Sequence, residues 1–188
     1  MKKIYFAGLF MFMFFETMAQ TNFNLGAGYY GQNVTYPGVV FNGELEKVFS
    51  EKVSMPIRAD LGFYVQPRFA TSLFLDVSVG SRKYFKSGIF IEESIGAGVL
   101  QTFVHSDGVF KVDEEGNVSE GSRANPVYFM PSISLGIGYD LEKNTGKRNL
   151  IWLRPKISWM VPDKTTSSYN VALQLGFTHT LSSKERYK

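Results

Sequence analysis

Nine charged residues are the first candidates for chemistry in this chain: Glu44, Glu46, Asp60, Asp76, Glu92 and Asp140 against Arg58, Arg154 and Lys156. Each lies in a stretch where polar and apolar residues alternate, and each falls on the polar parity. Opposite charges that share one face are expected to pair, because an isolated charge away from water is costly. The chemistry they offer is electrostatic: a set of ion pairs, with no metal site and no cofactor. The chain has no cysteine, which removes disulfides and thiolate ligands. His105 and His179 are its two histidines. A histidine beside Ser182 or Ser183 is one way to activate a nucleophile for lipid modification. His179 sits at the end of the last alternating segment, however, where an interfacial side chain is the expectation and the remaining parts of an active site are missing.

Two other stretches carry the appearance of a motif. The glycines Gly26, Gly28 and Gly31 of "GAGYYG" have dinucleotide-binding spacing, but no strand–helix–strand unit follows and Pro37 stands where the helix should run. "DEEG", Asp113 to Gly116, is acidic, yet Gly116 is not placed as in a calcium loop. It reads instead as the turn of a hairpin flanked by Val109 to Val112 and Asn117 to Ser119. The triplets Asn33-Val34-Thr35 and Asn117-Val118-Ser119 fit a glycosylation pattern that is common by chance.

The elements that position the charges are strands. Eight segments alternate with period two: Thr21 to Tyr30, Val39 to Phe49, Met55 to Val65, Thr71 to Tyr84, Gly88 to Phe103, Val127 to Asp140, Asn149 to Val161 and Tyr169 to Leu181. The last is the clearest, with Tyr169, Val171, Leu173, Leu175 and Phe177 opposite Asn170, Ala172, Gln174, Gly176 and Thr178. Successive side chains of a strand point to opposite faces, so one face is greasy and the other small and polar. Glu93 breaks the apolar parity and is expected near an interface. No segment holds a helical period.

The chain of 188 residues opens with Lys2-Lys3, an apolar run from Ile4 to Phe15, and the small residues Thr17 and Ala19. That is the layout of a secretory signal peptide over 1–19, too short for a spanning helix. The rest divides into a barrel over 20–181 and a C-terminal tail over 182–188. The formal net charge is +3, and +2 without Lys2, Lys3 and Glu16. So small and scattered a charge gives no footprint for nucleic acid.

Alternation alone does not say which face meets water. A soluble barrel would turn its polar face outward, rich in Lys, Glu and Thr. Here that face is mostly Gly, Ser, Asn and Ala, which suits the inside of a narrow eight-stranded barrel. Aromatic residues on the apolar parity, Tyr29, Phe63, Tyr139, Trp159, Tyr169 and Phe177 among them, fit interfacial girdles. The expected fold is an all-β, eight-stranded antiparallel up-and-down transmembrane β-barrel with lipid outside and an ion-paired lumen.

A leader ending "MAQ", followed by "LGAGYYG", "VGSRKYF", "SGIFIEESIGAGV" and "LQLGFTHTL", resembles the small outer-membrane β-barrel proteins of Bacteroidota-type bacteria, which are similar in architecture to OmpA and OmpX. The resemblance covers the mature chain and rests on pattern. It departs at the C-terminus, where many such barrels end on an aromatic residue and this chain continues from Ser182 to Lys188. It implies a cell outer-membrane location with both termini periplasmic. It also implies a non-enzymatic structural or interaction subunit, touching outer-membrane lipid and a larger outer-membrane protein complex through loop 104–126 or the wall. The alternatives are a narrow channel for ions or small solutes and a lipid-modifying enzyme.

Overall fold

The computed structural model describes residues 20–105, 109–112, 116–121, 125–142, 148–161 and 169–182. Its strands are β1 (Gln20–Gln32), β2 (Tyr36–Val48), β3 (Val53–Gln66), β4 (Ala70–Tyr84), β5 (Ile89–Val104), β6 (Val109–Val112), β7 (Val118–Gly121), β8 (Val127–Asp140), β9 (Asn149–Trp159) and β10 (Tyr169–Ser182). All eight segments read from the alternation are strands of one closed antiparallel barrel, ordered β1-β10-β9-β8-β5-β4-β3-β2. The hairpin expected in the long loop is also present, as the separate two-stranded sheet β6–β7. Closure comes from β1 pairing with β10, with Ala27 opposite Phe177 and Tyr29 opposite Leu175. Every barrel strand therefore has a neighbour on both sides, and no edge is left open.

Both described termini lie at one end of the barrel, since β1 and β10 pair antiparallel across Phe23 and Ser182. The short turns 49–52 and 85–88 are at that end. Turns 33–35 and 67–69, and the β6–β7 hairpin, are at the other. The first of these turns is tight enough that Asn33 and Val34 both take positive φ, 48° and 65°. A left-handed turn matches the twist of the strands it joins, but a valine there is strained.

The molecule is inverted relative to a water-soluble fold. Its outer wall is apolar: mid-wall Leu75 is 53% exposed, and Leu61, Val99, Ile133 and Leu175 are exposed beside it around the barrel. The charged residues of the inward parity are buried in the lumen, with Glu92 only 3% exposed. The lumen is filled rather than open. Towards the loop end, Tyr30 stacks on Tyr64 with ring centroids 5.7 Å apart and packs on Phe74 at 4.6 Å. Towards the terminus end, Tyr84, Phe90, Leu150 and Trp152 are buried. The inward parity thus holds an aromatic core as well as the small residues expected there. Glycines make the room: Gly62 is opposite Phe74 and Gly176 opposite Trp152 in the register, and a Cβ on either would collide with the ring.

Candidate functional site: the ion-paired lumen and the apolar wall

The structure places all nine predicted charged residues inside the barrel, each buried. It brings together Glu44, Glu92, Arg58 and Arg154, which belong to four different strands. Arg58 Nη1 is 2.6 Å from Glu92 Oε1 and 3.7 Å from Glu44 Oε2. Arg154 Nε is 3.2 Å from Glu92 Oε1, and its guanidinium lies over the Trp152 ring at 4.0 Å. Asp60 sits 3.3 Å from Arg58 Nε on the same strand. Lys156 and Asp76 form a separate pair higher in the lumen, Nζ to Oδ2 at 2.7 Å, with Ser132 Oγ donating to Asp76 Oδ1 at 3.0 Å.

Two cations that the sequence reading left out complete the cluster. Arg82 on β4 is its hub. It donates to both oxygens of Glu44, at 2.9 and 2.7 Å, and to Glu92 Oε2 through Nε at 2.8 Å and Nη2 at 2.5 Å. Its Nη1 is also 3.5 Å from Glu46. Arg148, just before β9, holds Glu46 at 2.6 Å and lies 3.6 Å from Asp140, and donates to the Tyr84 hydroxyl at 2.8 Å. Tyr84 and Ser54 in turn donate to Glu46. Among the described residues, six buried carboxylates thus meet five buried cations. A signal for Arg82 existed, since Asp76, Ser78, Gly80 and Arg82 continue one parity along β4. Arg148 carried none, because it lies outside the alternation and reaches the lumen only through the fold of its connection.

Chemically, this arrangement binds protein to protein across a closed lumen. The bidentate fork of Arg82 joins β2, β4 and β5, and Arg58 and Arg154 add β3 and β9 through the same carboxylates. Such charge-assisted pairs fix geometry as well as supply energy. No group of three or more His, Cys, Asp or Glu capable of holding a metal occurs among the described residues.

The histidines lie outside this cluster. His179 Nδ1 is 2.7 Å from Asn149 Oδ1, on the exposed face at the terminus end. The side chains of Ser182 and Ser183, weighed as its nucleophilic partners, lie outside the described residues. His105 Nε2 is 2.8 Å from Thr71 Oγ1 at the loop end. The acidic hairpin tip 113–115, the leader 1–19 and the tail from 183 onward are likewise outside the described residues.

On the outer wall, Tyr29, Phe63, Trp159 and Tyr169 are exposed towards the loop end and Tyr139 lies at the terminus end. Phe177 is exposed well inside β10, beside Ala27 and Ile151, rather than at a strand end. Glu93 faces outward on β5, as its parity requires, with Ile91 and Ile89 between it and the start of the strand.

No family model and no curated protein sequence matches the chain. Among solved structures it is similar to Neisserial surface protein A (NspA), at TM-score 0.52 and 8% identity over 87% of this chain and 99% of that one. It is equally similar to Ail, the attachment invasion locus protein of Yersinia pestis, at TM-score 0.52 and 10% identity over 87% and 99%. The outer membrane enzyme PagL aligns more loosely, at TM-score 0.44, and carries no argument about activity here. These likenesses show the fold: an eight-stranded, closed, antiparallel β-barrel with outer-membrane barrels as its structural neighbours.

Proposed function

We propose that this chain is an outer-membrane β-barrel that works without catalysis, as a structural or interaction subunit of a larger outer-membrane assembly. The observation that carries this reading is the inversion of polarity: a predominantly apolar wall outside and an ion-paired, aromatic-filled lumen inside. In water such a wall would drive aggregation. In a bilayer it is the surface a closed barrel needs, because closure satisfies every strand and lipid covers the apolar side chains. With residues 1–19 acting as a signal peptide, both ends of the mature chain are periplasmic and the β6–β7 hairpin stands on the outer side. The hairpin offers a partner its strand edges, a recurrent mode of protein recognition. The filled lumen argues against the channel alternative, since eight strands leave little more space than their side chains occupy.

The experiment is gel mobility of the protein extracted from outer membranes, with and without boiling in SDS. A band that resists cold SDS and shifts on heating is expected. An unshifted protein recovered from the soluble periplasm would overturn the membrane reading. Cross-linking through the hairpin should then capture a defined larger partner, and planar bilayers containing the pure protein should show no conductance.

A further inference from the structure

The small net charge of the chain hides a separation of charge between the two ends of the barrel. Of the 20 Lys and Arg residues, Lys2 and Lys3 belong to the leader and five lie in the lumen beside six carboxylates. The rim and connections at the terminus end (47–53, 83–88, 141–147 and 183–188) contain nine Lys and Arg against three carboxylates, or four when Glu93 is counted with them. The connections at the loop end (33–35, 67–69, 105–126 and 160–168) contain four against six. The terminus end is therefore at net +5 and the loop end at net −2.

Where these cations stand matters as much as their sign. Lys47 on β2 faces outward, with Thr21 and Met55 as its register partners, and follows the exposed Leu45 on the same face. Lys83 on β4 faces outward between the exposed Val53 and Ile91. A lysine so placed lays its alkyl stem along apolar side chains and carries its ammonium to the polar boundary. Lys52 and Lys86 add exposed charge in the turns just beyond. At the loop end the wall closes instead on the aromatic rings of Phe63, Phe129, Trp159 and Tyr169. No Lys or Arg on the described barrel strands faces outward there.

We infer that the terminus-end rim binds the phosphates of anionic glycerophospholipids in the leaflet around it. Charge complementarity selects that occupant, because an anionic leaflet attracts each Lys or Arg near its surface within about a Debye length. Glu93 lies diagonal to Lys83 and offsets one cation, which leaves the rim strongly basic. Lys47 and Lys83 select lipid over an acidic protein. They stand on the side of the wall, at the height of lipid headgroups, whereas a partner beneath the barrel would meet the turns. The loop end carries the opposite sign, so the match is confined to one leaflet. In the topology proposed above, that leaflet is the periplasmic one.

The inference rests on the wall being lipid-facing, and the test separates the two. The full chain is reconstituted in phosphatidylcholine vesicles holding a trace of spin-labelled phosphatidylglycerol or of spin-labelled phosphatidylcholine. The immobilised fraction of each label reports how much of it sits on the barrel. Immobilisation should favour the phosphatidylglycerol label at least about twofold, and the preference should fade in high salt. Lys47→Gln with Lys83→Gln should remove most of it, and Arg68→Gln at the loop end none. Should the double variant lose its heat shift, Lys52→Gln with Lys86→Gln replaces it and must also lower the preference. Equal immobilisation of the two labels by the parent chain overturns the inference, as does a preference indifferent to salt or to both lysine pairs. Equal immobilisation with the heat shift intact sinks lipid selectivity alone. A parent chain that shows no heat shift and immobilises neither label sinks the membrane reading.

Discussion

Arg82 donates four hydrogen bonds to the carboxylates of Glu44 and Glu92, and that defines what its loss does. Changing it to methionine keeps most of the side-chain volume but leaves Glu44 without its bidentate partner and removes two donors from Glu92. Breaking a buried pair from one side costs about 3–5 kcal/mol, because the remaining charge stays buried. Arg82→Met is therefore expected to unfold at much lower urea than the parent, read from loss of the folded gel band. Arg82→Lys should fall between them, since an ammonium keeps the charge and loses the fork. Lys156→Met, which unpairs only Asp76, should leave the lower cluster intact and add independently to a distant wall substitution.

Each strand succeeds or fails by the fit between its inward residue and the one opposite. Gly176 exists as glycine so that Trp152 can lie flat across it, with the indole Nε1 donating to Thr178 at 2.8 Å. Gly176→Val would force that ring out of its place, and overpacking of this kind costs about 1–3 kcal/mol. Lower thermal stability with quenching or shift of tryptophan fluorescence should accompany it. The turn between β1 and β2 offers the opposite sign. Val34 has φ of 65° and is exposed. Val34→Gly relieves about 1 kcal/mol of left-handed strain, so a higher heat-shift temperature is expected. The β6–β7 hairpin is a sheet separate from the barrel. Replacing 106–124 with a short turn should leave the heat shift in place, because shortening a loop changes its closure entropy only slightly, and should abolish hairpin-dependent cross-links.

For the whole molecule the decisive property is which side of the wall is wet. Leu75 lies at mid-height, paired with Leu61 and Val99 and pointing outward. In a bilayer, Leu75→Arg costs about 2–4 kcal/mol at that depth. In water the same exposed change would be close to neutral. Refolding the variant into vesicles and titrating with urea distinguishes the two, and a neutral result would turn the barrel's surroundings from lipid to water.

Parity was legible from the sequence because a strand's side chains alternate whatever it pairs with. That rule alone separated Glu92 from Ile91 and Lys156 from Ile157, and the small residues of the polar face told inside from outside. The turn residues Asp113 to Gly116 between Val109 to Val112 and Asn117 to Ser119 located the hairpin as well. What it could not give was partnership across the lumen. Arg154 on β9 and Glu44 on β2 lie far apart in the chain and come within 4.0 Å of each other because the sheet curls until β1 finds β10. The same closure turned Tyr30, Phe74 and Trp152 into a shared core, drew Arg148 in from its connection, and left Glu93 facing outward with no matching charge opposite it. Period-two geometry is local and is written residue by residue. Which charges become neighbours depends on the shear and closure of the whole barrel, and only the tertiary structure decides that.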